Sequence, residues 1–135
     1  MQVFLPHPDF RQSLECLDNV RLRNQILREC KTLISGGWSN HPAAKMWLGY
    51  EHALCEYAIV GLEVIRLRGY PRIKLAWMPF WTKKQKTFKD TGMPPFVGNE
   101  EFHASHRSNL LRKDPEWYGK FGWTEPDDLE YIWPI

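Results

Sequence analysis

The chain has 135 residues, the size of one domain with a buried core, and its 43% hydrophobic and 14% aromatic content, with seven tryptophans, excludes a disordered chain. A net charge of +2 singles out no partner, and no apolar run approaches 18 residues, so neither a membrane span nor a membrane partner is expected. Three cysteines without CxxC spacing read as buried free thiols in a reducing cytoplasm, and the opening MQVFLPHPDF carries no export signal.

Residues 1–8 read as an extended lead-in, because Pro6 and Pro8 keep Leu5 and His7 out of helical geometry. Asp9 is placed to cap a short helix through Leu17, and Asp18 to cap a longer one running to about Ile34, ended by Gly36-Gly37. Leu22, Ile26, Cys30 and Leu33 give that helix its core stripe. Its other face aligns Arg21, Gln25, Arg28 or Glu29, and Thr32. That row is either ordinary surface pairing or, beside the N-terminal segment, the lining of a site.

Pro42 suits the first position of a further helix, capped by Asn40 or His41, running towards Arg68 with a bend at Gly49. Met46, Ala53, Tyr57, Val60, Val64 and Leu67 trace its buried stripe, with Lys45, Trp47 and Tyr50 off it. From Tyr70 to Glu101 four prolines interrupt the pattern, and Trp77, Phe80 and Trp81 follow no single helical face, which predicts a long loop with at most one short helix.

The stretch FHASHRSNLLRKDPEWYGKFGW, Phe102 to Trp123, reads as a helix stopped by Asp114-Pro115. His103 and Arg107 stack at i, i+4, with His106, Asn109 and Lys113 in the next row, so one face is expected to be cationic and rich in donors. Trp117, Tyr118, Phe121 and Trp123 follow it. The fold class expected is all-α: a single compact domain over residues 1–135, of about three main helices with a long irregular Pro/Trp/Lys-rich loop.

Five scattered histidines without HExxH or paired cysteines do not make a zinc site, and GxxxxGK[ST], GxGxxG and GxSxG are all missing. No metal or cofactor is expected. A basic run from Arg66 to Lys89 opposes an acidic tail from Asp114 to Glu130. That inventory suits gripping phosphates through Arg107, Arg112, Lys113 and the Lys83–Lys89 run, with a base stacked on an aromatic ring.

Three blocks, LDNVRLRNQ, SNHPAAKMWLGYEHAL and the Phe102–Trp123 stretch, resemble the pyrimidine-dimer DNA glycosylase family, the phage-type endonuclease V group, and within it a phage and bacterial branch. The resemblance implies an all-α domain that grips duplex DNA and displaces a nucleotide at a damaged base. It also implies that the terminal α-amine attacks the sugar C1′, assisted by a carboxylate on the first long helix, and that elimination then nicks the strand. An α-amine, with a reference pKa of about 7.7–8.0, is a far better neutral-pH nucleophile than lysine. The chain departs from the family pattern in two places: bulky Gln2 is expected to leave Met1 in place, and Arg23, Asn24 and Gln25 stand where the carboxylate is expected, with Glu29 the nearest acid.

The catalytic set expected is Met1, Gln25, Glu29, His103 and His106. Nucleic acid is expected at Arg21, Arg23, Asn40, His41, Lys45, Trp47, Arg107, Asn109, Arg112, Lys113, Trp117 and Tyr118. The partner is duplex DNA or a nucleotide, and the protein is expected to act as a cytoplasmic monomer. Two other readings share these residues: a non-catalytic DNA-binding protein of the same fold, and an enzyme acting on a free nucleotide or modified base.

Overall fold

In the computed structural model, which describes residues 1–135, the first helix starts where Asp9 stops the extended lead-in: its carboxylate accepts from Arg11 N at 3.0 Å, opening α1 (Phe10–Cys16). Asp18 repeats the device, its carboxylate accepting from Arg21 N at the start of α2 (Asn19–Asn24). Helical geometry then continues through a π turn, Gln25–Glu29, into α3 (Cys30–Ile34). The π turn buries both Gln25 and Ile26, leaving Arg28 exposed and Glu29 half-buried.

Beyond the 35–41 turn, α4 (Pro42–Trp47) is capped by His41, whose Nδ1 accepts from Ala43 N at 3.0 Å. The expected bend at Gly49 is a full break: Gly49 adopts φ +87°, and α5 (Glu51–Leu67) begins two residues later. α5 is the central helix, packed against α1, α2, α3 and α6. Buried residues therefore surround it, as expected of a helix with neighbours on several sides. A Cβ on Gly61 would sit 2.3 Å from Ile26 Cδ1, so this glycine sets how closely α5 approaches the π turn. Leu67 falls off the expected stripe and is exposed, while Trp47, expected off it, is buried between Phe10 and Phe96.

The first half of the expected 70–101 loop is instead a 16-residue helix, α6 (Pro71–Lys86). Pro71 occupies the first helical turn, where a missing N–H costs nothing, and Pro79 sits on the exposed side. Ile73, Trp77, Phe80 and Trp81 together form the stripe that packs on the core. Three of the eight basic residues of the Arg66–Lys89 run are engaged within the fold: Lys74 and Arg66 pair with Glu63, and Arg68 donates to Leu17 O and Glu15 O.

α7 (Glu100–Lys113) is capped by Asn99 and stops at Asp114-Pro115, followed by α8 (Pro115–Tyr118) and a 3₁₀ turn, Gly119–Phe121. Its polar face is not the solvent-facing cationic row expected. His103, Ser105, His106, Arg107, Ser108 and Asn109 are all buried, because the N-terminal segment covers one side and residues 125–132 cover the other. Asn109 donates to Ser105 O and Leu129 O, and Ser108 Oγ accepts from Leu129 N. The protein is all-helical around one core of 25 buried hydrophobic residues, and no helix is long and apolar enough to cross a membrane.

Candidate functional site

The N-terminal segment crosses the core with no strand partner, so side chains must satisfy its backbone. Gln25 supplies both halves of a peptide-like pairing: Oε1 accepts from Phe4 N at 2.8 Å, and Nε2 donates to Gln2 O at 3.0 Å. The Tyr57 hydroxyl donates to Phe4 O at 2.8 Å. His106 Nδ1 accepts from Leu5 N at 2.9 Å, and His103 Nδ1 donates to Leu5 O at 2.7 Å. Arg107 donates to Pro6 O at 2.7 Å, and Ser13 Oγ bonds both N and O of His7. Every residue from Gln2 to Pro6 is buried as a result, and only Met1 emerges.

Met1 emerges between two adjoining hollows. The first, of about 260 Å³, is lined by Met1, Gln2, Phe4, Arg21, Asn24, Gln25, Glu29, Lys113 and Tyr131. The second, of about 200 Å³, is lined by Met1, Arg28, Glu29, Thr32 and Trp38. Met1 and Glu29 belong to both. Three cations, Arg21, Arg28 and Lys113, surround one acid, Glu29, a balance suited to a sugar flanked by phosphates. Neither Glu29 nor the terminal amine takes part in an ion pair.

His41 lies at the edge of this site. Burial and the positive N-terminus hold its imidazole below the ordinary histidine value, against the opposing pull of Glu29. Because its Nδ1 accepts the α4 cap bond, the neutral ring carries its proton on Nε2. Trp38 and Trp133 pack edge-on against it at 5.9 and 5.6 Å.

Arg21 is held by a relay. The Tyr118 hydroxyl donates to Asp18, which pairs with Arg21 at 3.2 Å. Burial works against the Asp18 carboxylate, yet the hydrogen bonds from Tyr118 and Arg21 keep its pKa below the ordinary value. Trp117 Nε1 donates to Cys16 O at 2.8 Å, and Lys120 covers the indole face at 3.4 Å. The Trp-Tyr pair therefore fastens α8 to the α1–α2 corner.

The structure thus brings together Met1, Arg21, Gln25, Glu29 and Lys113, with His41 beside them. It does not bring the α7 imidazoles or Arg107 to the hollows. Gln25 is 2% exposed, and its amide is committed to the N-terminal segment. Arg107 is engaged by Glu100, Glu125 and Pro6 O, and Arg112 by Asn109 and Asp127 O. Arg23 turns to the opposite side of α2, over the Tyr70 ring at 5.2 Å. Asn40 is exposed on the 35–41 turn and lines neither hollow.

Lys45 and Trp47 line a separate hollow of about 210 Å³ walled by Leu33, Leu48 and Leu54. Its walls are largely hydrocarbon, with Ser39, Lys45 and Glu51 as the polar side chains, and neither Met1 nor Glu29 reaches it. The five histidines do not converge, and no three His, Cys, Asp or Glu side chains are grouped to share an ion.

Sequence reasoning missed Trp38, Asn24 and Tyr131. Asn24 falls one residue from the aligned row, and the Gly-Gly-Trp turn gave Trp38 a local signal. Tyr131 had none, since it arrives from the far end of the chain.

A family model described as pyrimidine dimer DNA glycosylase matches residues 1–78, which hold the N-terminal segment, the π turn, Glu29, Trp38 and His41. No curated protein and no solved structure matches the chain. With the family model covering more than half of its length, the chain belongs to the pyrimidine dimer DNA glycosylase family.

Proposed function

We propose that this protein is a DNA N-glycosylase with coupled strand-nicking activity, acting on a damaged or modified pyrimidine in duplex DNA, with Met1 as nucleophile and Glu29 as its carboxylate partner. The observation that supports this most is the emergence of Met1 beside Glu29 in hollows ringed by Arg21, Arg28 and Lys113. The hollows are on the scale of one displaced nucleotide, not of a duplex, which suits an enzyme that takes its target out of the stack.

The unprotonated Met1 amine attacks C1′ of the displaced nucleotide, forming a C–N bond as the N-glycosidic bond breaks and the base leaves with the electron pair. Glu29 stabilises the positive charge that develops on the sugar and takes the proton released by the amine. Glu29 returns that proton to O4′ as the C1′–O4′ bond breaks and the ring opens to a protonated Schiff base. Loss of a C2′ proton to the regenerated Glu29 carboxylate expels the 3′ phosphate, and hydrolysis of the imine frees Met1. Arg21, Arg28 and Lys113 hold the flanking phosphates.

Borohydride trapping on duplexes containing a pyrimidine dimer or an abasic site tests this reading. A covalent adduct that maps to Met1, and is lost in Glu29→Gln, is expected. Salt-sensitive binding without any adduct would instead mark a DNA-binding protein with no amine chemistry. Mononucleotide binding with no duplex binding would mark a nucleotide enzyme.

A further inference from the structure

Trp38 differs from every other tryptophan in the chain. It is 60% exposed, whereas the other six are buried or half-buried. It is also the only non-glycine residue with positive φ, at 58°, a conformation that bulky side chains rarely adopt. Its side chain buries little surface to offset that disfavoured conformation, the pattern found at sites where strain serves a function.

The turn that presents it is firmly built. Gly36 takes φ +83°, and Gly37 lies so close to α3 that a Cβ there would sit 2.8 Å from Thr32 Cγ2. The Trp38 indole meets the edge of His41, whose ring is backed in turn by Trp133. One side of Trp38 forms the rim of the hollow that holds Met1, Arg28 and Glu29.

We propose that Trp38 is a stacking platform for an unstacked nucleobase at the mouth of the Met1–Glu29 hollow, with Arg28 positioned for the adjoining phosphate. This rests on the reading of the protein as DNA-acting. An indole face accepts any base, so Trp38 supplies grip on a disrupted duplex and leaves base identity to other residues. The built turn and the His41 contact limit the freedom lost when a base lands on it. Trp38 is a positioning residue: it holds the displaced strand while Met1 reaches C1′.

The test uses the full chain and a duplex with a central tetrahydrofuran abasic-site analogue, with 2-aminopurine placed opposite it or at either flanking position. Wild-type protein is expected to bind this duplex more tightly than an intact one and to quench 2-aminopurine in at least one placement. Trp38→Phe is expected to retain both properties. Trp38→Leu and Trp38→Ala are expected to lose the quenching and bind roughly 10- to 100-fold more weakly, with melting temperatures unchanged or raised. Trp38→Leu keeps apolar bulk without a π face, so its loss separates stacking from simple hydrophobic contact.

Wild-type binding with equal affinity and unchanged quenching in Trp38→Leu would overturn the stacking role while leaving the DNA reading intact. Failure of the wild type to bind the lesion duplex would overturn both.

Discussion

His103 and His106 grip opposite sides of a single residue: His103 Nδ1 donates to Leu5 O at 2.7 Å, while His106 Nδ1 accepts from Leu5 N at 2.9 Å. The two rings must therefore be neutral and in opposite tautomers. Gly98 N, donating to His103 Nε2 at 2.9 Å, fixes the first, and the second leaves His106 Nε2 buried without a partner. Burial lowers the His106 pKa from the ordinary 6.5 to about 3, and burial also lowers those of His103 and His7.

A histidine whose folded-state pKa is depressed contributes full stability above its unfolded pKa and loses it as pH falls. The protein is thus expected to be stable above about pH 6.5 and to lose about 1.4 kcal/mol per pH unit from His106 alone between there and about pH 3. Urea denaturation at steps from pH 7.5 to 5, above the range where most carboxylates titrate, checks this. A flat profile would mean that the imidazole is not held neutral.

Arg107 and Lys113 sit in opposite environments along one helix. The Arg107 side chain is 9% exposed and engaged by Glu100, Glu125 and Pro6 O, so Arg107→Ala strands Glu125 and releases the N-terminal segment. A loss of about 3–5 kcal/mol in unfolding free energy is expected. Lys113 is exposed on the lining of the Met1 hollow, and Lys113→Ala is expected to leave stability within about 0.5 kcal/mol. It is expected instead to weaken DNA binding and lower the salt-dependence slope by about one. Denaturation curves paired with binding titrations at three salt concentrations distinguish the two.

What the sequence made legible were the local signals. Asp9 and Asp18 cap where expected, Gly49 divides the Pro42–Arg68 stretch, and Asp114-Pro115 ends α7. The row Arg21, Gln25, Glu29 does face the N-terminal segment. Helix α6 was hidden because Pro71 and Pro79 read as breaks, although one opens the helix and the other faces out. The polar face of α7 was misread for a different reason. Its partners lie 98–101 residues away at Leu5 and Pro6 and 18–27 residues away in the tail, and no periodicity carries that information.

Gln25 is one of the three residues standing where the family resemblance leads one to expect a carboxylate, and placing an acid there is expected to disturb the fold without improving catalysis. In Gln25→Glu an ionised carboxylate could still accept from Phe4 N but would face Gln2 O with no proton to donate. The buried acid is therefore expected to stay protonated in the folded state, with its pKa raised above the unfolded value. Its cost should be small near pH 4 and grow by up to about 1.4 kcal/mol per pH unit as pH rises, until the folded-state group ionises. That trend is opposite in sign to the histidine effect, so the stability difference between wild type and variant should widen from pH 4.5 to 7. A constant difference would show that Gln25 does not hold the segment through donation.

The same threading makes the two catalytic assignments separable. Met1 is the first residue outside the buried Gln2–Pro6 segment, so a Gly-Ser extension ahead of it can enter the hollows without disturbing the Gln25, Tyr57 and His106 bonds. The extension should leave the melting temperature within a few degrees and abolish borohydride trapping at Met1, because the amine becomes an amide nitrogen. Glu29→Gln removes charge but not bulk at a half-buried position with no ion pair to break, so it too should fold normally. It should bind the lesion duplex at least as tightly as wild type, since one negative charge among Arg21, Arg28 and Lys113 is gone, yet form adduct at least about 100-fold more slowly. Tighter binding with slower trapping in one variant, and lost trapping without unfolding in the other, is a pattern that phosphate contact alone does not produce. Unimpaired trapping in Glu29→Gln would remove Glu29 from the mechanism even with Met1 confirmed.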